Sequence, residues 1–102
     1  LEVGMILSNE PGYYREGDFG IRIENLIVVK EADAIAGGDA REMLDFETLT
    51  FVPLDRHLIN QKLLSNSERT WINSYHADTL KNLAPLVDGA ALKWLTTACS
   101  PI

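Results

Sequence analysis

Two glutamates in the first quarter of the sequence, Glu10 and Glu24, have the chemistry and the spacing to act as a pair. Between two strand-like stretches, residues 5–9 and 20–30 (GIRIENLIVVK), the tripeptide Glu16-Gly17-Asp18 carries turn chemistry. A hairpin turning about Gly17 sets residue 10 directly across from residue 24. Side chains so opposed have Cβ atoms about 4.5–5.5 Å apart, a separation at which like charges destabilise a sheet. Something positive must lie between them: a metal ion, a shared proton or an arginine. On the second strand Arg22, Glu24, Leu26 and Val28 share one face, opposite Ile21 and Ile23, which sets Glu24 among apolar neighbours as a partly buried carboxylate. Pro11 restricts Glu10 to extended backbone and Gly12 permits a sharp bend after it, so the two together aim the Glu10 carboxylate. The same residues also allow a plainer reading, in which both glutamates are exposed and balanced by Arg15 and Arg22.

The elements that must position this pair are strands in the first half and helices in the second, an α+β pattern. Residues 33–43 (DAIAGGDAREM) hold Gly37-Gly38 and no sustained period, and predict a loop. Residues 45–53 (DFETLTFVP) alternate through strand-favouring types until Pro53 and predict a third strand beside the hairpin. Ser65 and Glu68 have capping-box spacing and predict a helix start. Trp71, Ile72, Tyr75, Leu80, Leu83 and Leu86 then form one apolar face up to the interruption at Pro85. Asp88 is placed to cap a second helix bearing Ala91, Leu92, Trp94, Leu95 and Ala98, which completes a helical hairpin. Trp71, Tyr75 and Trp94 read as core between the helices, with a subunit contact as the alternative. His57 reads as a surface residue, and His76 as a packing or hydrogen-bonding residue rather than a chemical one.

Composition narrows the function classes. The chain has 102 residues and a net charge of −6, with its nine Lys and Arg scattered singly, which argues against a nucleic-acid surface. No apolar run approaches the roughly 20 residues of a membrane span, and no segment resembles a signal peptide. The single cysteine, Cys99, excludes an intrachain disulfide and any cysteine-cluster metal site, and fits a reducing, cytoplasmic setting. About 100 residues leave little room for both a complete core and an elaborate active site. The sequence also opens on Leu1 directly into strand-like residues, and the expectation is a piece of something longer.

The string Ser8-Asn9-Glu10-Pro11-Gly12-Tyr13-Tyr14, followed by Phe19-Gly20-Ile21-Arg22-Ile23-Glu24-Asn25, resembles the C-terminal part of the catalytic domain of Xaa-Pro aminopeptidases (aminopeptidase P), members of the pita-bread metallopeptidase family. Phe46-Glu47-Thr48-Leu49-Thr50, Pro53-Leu54-Asp55, the run from Trp71 to His76 and the ending Ala98-Cys99-Ser100-Pro101-Ile102 resemble the C-terminal extension of the family's longer form. The resemblance implies that residues 1–55 belong to the catalytic domain, as antiparallel strands, and that residues 56–102 form the helical extension. It implies that Glu10 and Glu24 are two of five ligands to two divalent ions, most often manganese and otherwise zinc or cobalt. The other three, two aspartates and a histidine, lie upstream in the family, and His57 and His76 do not match the histidine's position. Arg22 matches an arginine of the hydrogen-bond network around the metals, and no residue of this chain matches a catalytic one. The implied substrates are peptides with proline second, and the implied assembly is a homodimer. Alone, the chain is expected to be inactive and to hold no metal tightly, since two carboxylates are too few for a closed centre. The reading from a different class is a non-catalytic binding or dimerisation module built on the same fold.

Overall fold

Gly17 adopts φ 72°, a left-handed conformation that glycine takes without a Cβ penalty, and the Asp18 amide closes the turn onto the Arg15 carbonyl at 3.1 Å. In the computed structural model, which describes residues 1–102, this turn joins β2 (Gly12–Arg15) to β3 (Phe19–Arg22). Outside them, β1 (Ile6–Asn9) pairs antiparallel with β4 (Asn25–Glu31), and β4 pairs on its other side with β5 (Leu44–Thr48). One long hairpin is thus divided into a two-stranded ribbon, β2-β3, and part of a three-stranded sheet of order β1-β4-β5. The interruption falls at Pro11, which has no N–H to offer a ladder; its carbonyl still accepts from the Ile23 amide at 3.1 Å.

The buried face of β4 is that of Asn25 and Val29, with Leu26 exposed, so the face expected to bury Glu24 is the more open one. The third strand is shorter than its alternation suggested. It ends at Thr48, after which the Leu49 amide still reaches the Leu26 carbonyl at 2.8 Å and the Thr50 hydroxyl accepts from the Leu26 amide at 2.8 Å. A side chain there takes over from the main-chain acceptor. Residues 33–43 form no strand or helix, as their composition implies, and their ends are tied by the Ala32 amide on the Met43 carbonyl at 2.9 Å.

The chain divides into two compact units, Leu1–Thr50, just described, and Phe51–Ile102. In the second, the Ser65 hydroxyl accepts from the Glu68 amide and the Glu68 carboxylate accepts from the Ser65 amide, the anticipated capping box, and α1 (Asn66–Leu83) begins there. Pro85 lies in a 3-10 turn, Ala84–Leu86, that leads to α2 (Gly89–Ala98). Asp88 occupies the position before α2 but its side chain makes no capping bond, so only half of that expectation holds. The buried residues of α1 are Ile72, Tyr75, His76 and Thr79, joined by Leu95 and Cys99. Trp71 and Trp94, read from sequence as core, are 50% and 64% exposed. Helical spacing identifies a face of a helix, but not how deeply each member of that face is covered.

Two adjacent side chains of α1 hold the segment 52–54. The Tyr75 hydroxyl donates to the Val52 carbonyl at 2.8 Å and accepts from the Val52 amide at 3.1 Å, while His76 Nε2 accepts from the Leu54 amide at 3.1 Å. His76 is therefore a buried hydrogen-bonding residue, as expected, and His57 a surface one. Arg56 donates to the Thr97 and Ser100 carbonyls at 2.8 and 3.0 Å, where its positive charge complements the C-terminal end of α2. No helix is long and apolar enough to cross a membrane.

Candidate metal centre

The register of the interrupted hairpin decides whether the glutamates meet. In the outer ladder Asn9 faces Asn25, and in the inner ribbon Gly12 faces Arg22; both ladders obey the single register set by Gly17. Glu10 and Glu24 fall in the gap between the ladders and lie across from each other, free of the main-chain pairing on either side. The turn-centred reading of the sequence therefore predicted this arrangement correctly, although the strands around it are broken.

The positive group between them is Arg22. Its Nε lies 3.1 Å from Glu24 Oε2 and its Nη1 lies 3.7 Å from Glu10 Oε2. Arg15, the other cation expected to balance the pair, is turned to Asp18 at 3.4 Å. One guanidinium thus serves two carboxylates and offsets the repulsion that would otherwise loosen this part of the hairpin. The site is open rather than partly buried: the side chains of Glu10 and Glu24 are 49% and 42% exposed.

Two residues at this site were passed over in sequence. The first is Tyr14, opposite Gly20 in the ribbon. Its ring lies over both neighbouring glycines, for a Cβ added at Gly12 would stand 2.8 Å from the Tyr14 hydroxyl and one at Gly20 2.8 Å from Cδ1. These glycines make room for the ring, and its hydroxyl reaches Arg22. The guanidinium is held above its ordinary value, first by its interaction with Tyr14 and then by the charges of Glu24 and Glu10. The signal in the sequence was the pair of glycines, one on each strand, flanking an aromatic. The second is Ser8, whose hydroxyl donates to Glu10 Oε1; it sits two residues before Glu10 on the same strand face.

Carboxylate oxygens are hard donors suited to manganese or magnesium and acceptable to zinc. The pair fits that chemistry as two ligands, while no group of three or more His, Cys, Asp or Glu side chains in the chain could hold a metal ion. Two carboxylates alone are fewer donors than a closed centre needs.

Comparison with known proteins bears on what completes it. Residues 1–31, which contain both glutamates and Arg22, match the model of metallopeptidase family M24. Over its whole length the chain is 41% identical to a probable Xaa-Pro aminopeptidase P of Laccaria bicolor and 43% identical to aminopeptidase P2 of Arabidopsis thaliana, spanning 16% and 14% of those proteins. Its fold superposes along its full length on 17% of an X-prolyl aminopeptidase from Caenorhabditis elegans, described as a cytosolic enzyme with a di-nuclear active site, with a TM-score of 0.87 and 38% identity. The chain is therefore about one-sixth as long as the relatives it matches. Residues 42–102, more than half of it, match the model described as the C-terminal region of peptidase M24, and the chain belongs to that family.

Proposed function

We propose that this chain supplies two metal ligands, Glu10 and Glu24, to a dinuclear aminopeptidase that hydrolyses the bond between an N-terminal residue and a following proline. The observation that carries this reading is the placement of two carboxylates across one hairpin, within residues matched to a metallopeptidase family. Its support is the 38% identity to an enzyme described as having a di-nuclear site. Residues 1–55 are then the distal part of the catalytic domain and residues 56–102 a C-terminal extension. Two divalent ions, manganese before zinc or cobalt, would polarise the scissile carbonyl and activate water.

The chain's own residues do less than the whole reaction. Glu10 and Glu24 present hard oxygens from the two arms of one hairpin, so a cation between them would be held by backbone spacing as well as by charge. Arg22 keeps the carboxylates from repelling each other and orients both, with Tyr14 helping to hold the guanidinium. The remaining ligands and the groups that move protons come from the rest of the longer protein, so the isolated chain is inactive. Substrates are peptides with proline second, the assembly is a homodimer, and the setting is the cytosol.

The test uses the longer protein. Chelation abolishes release of the first residue from an Xaa-Pro peptide, Mn²⁺ restores it, and Glu24→Gln is not restored. Wild-type activity in Glu24→Gln after chelation and metal return would overturn the assignment.

A further inference from the structure

The two carboxylates are held by the same geometric device. Alternate residues of an extended chain share a face, so the side chain two positions before each glutamate is its nearest neighbour along the strand. For Glu24 that neighbour is Arg22, at 3.1 Å; for Glu10 it is Ser8, whose hydroxyl donates to Oε1. The oxygens of Glu10 are thereby distinguished: Oε1 takes a neutral hydroxyl and Oε2 faces the Arg22 cation at 3.7 Å. Ser8 is also the better-anchored end of its pair, because it lies in the β1–β4 ladder opposite Leu26, whereas Glu10 lies beyond the ladder's end.

We infer that Ser8 is a positioning residue that fixes the Glu10 carboxylate for a divalent cation. The terminal torsion of a glutamate is broad, so an unanchored carboxylate samples many orientations and must be ordered when a cation binds. A hydroxyl fixed on the strand removes part of that cost beforehand. It does so without competing for charge, and since a carboxylate has about four lone-pair sites, one donated bond leaves room for a cation. This inference rests on the reading of Glu10 as a ligand.

Calorimetric titration of the metal-free longer protein with Mn²⁺ tests it, comparing Ser8→Ala, Ser8→Thr and Glu10→Gln. Loss of an outer partner of a metal ligand weakens binding by about tenfold or more. Ser8→Ala is expected to weaken Mn²⁺ binding by about that factor and Ser8→Thr, which keeps the hydroxyl, to bind as the wild type. Unchanged binding in Ser8→Ala beside weakened binding in Glu10→Gln would overturn the role of Ser8 alone. Weakened binding in both Ser8→Ala and Ser8→Thr would also overturn it, since packing rather than the hydroxyl would then be responsible. Unchanged binding in both Ser8→Ala and Glu10→Gln would remove Glu10 from the ligand set, and Ser8 with it.

Discussion

In the strand unit, Ser8, Glu10, Arg22 and Glu24 are open to solvent and bond to one another through side chains. In the helical unit, Tyr75 and His76 are buried and, together with Arg56, bond to main-chain groups of residues distant in sequence. The two clusters draw on similar chemistry for opposite purposes. Exposed ion pairs contribute little to stability, so the first cluster can change partners at small cost to the fold. A buried polar group left without its partner costs on the order of 1–3 kcal/mol, so the second cluster cannot. The open cluster is therefore the exchangeable one, while the side chains that hold the helical scaffold are tied to main-chain groups they cannot leave without cost.

The sharpest break in this contrast comes from Glu24→Gln. In the longer protein it should reduce Xaa-Pro cleavage to background, while in the 102-residue chain the urea midpoint should hardly move. A large loss of stability in the chain would make Glu24 a scaffold residue and erase the distinction. His76→Ala should do the reverse, destabilising the chain by about 2–4 kcal/mol in urea unfolding through a cavity and an unpaired Leu54 amide. Tyr75→Phe removes only the hydroxyl shared by the Val52 amide and carbonyl, and should cost about 1–2 kcal/mol in the same measurement.

The smallest expected effect is one of pH. Burial, and then the charge of Arg56, lower the His76 pKa from its usual 6.5. Because Nε2 accepts from Leu54, the proton of the neutral ring is on Nδ1; a second proton would place donors on both nitrogens and leave the Leu54 amide without an acceptor. The unfolded chain thus binds this proton more readily than the folded one. The His76 contribution is fully present above the unfolded value and is lost as pH falls through the folded one. Urea midpoints measured between pH 7.5 and 5 should decline, and His76→Gln should flatten the part of that decline due to this ring. An identical slope in both proteins would show that His76 is not the group involved.

Sequence revealed local rules more readily than distant ones. The turn at Gly17 fixed the register, and with it the meeting of Glu10 and Glu24, because hairpin geometry propagates outward from the turn. The capping box at Ser65 likewise marked the start of α1. Pro11 was read only as holding Glu10 extended, and the division of the hairpin there was not anticipated, since loss of a single donor does not say how far pairing lapses. Alternation in β4 suggested the wrong inner face, because Leu26 and Val28 are as apolar as the residues on the buried side. The contacts of Tyr75 and His76 with residues 52–54 join positions more than 20 apart and left no periodic trace.

Cys99, buried just past the end of α2, also bears on kinetics. Burial raises its thiol pKa and covers most of the residue, so in the closed state little thiolate is available to react. As the only thiol in the sequence, it can record how often the helical unit opens, with alkylation rate serving as the clock.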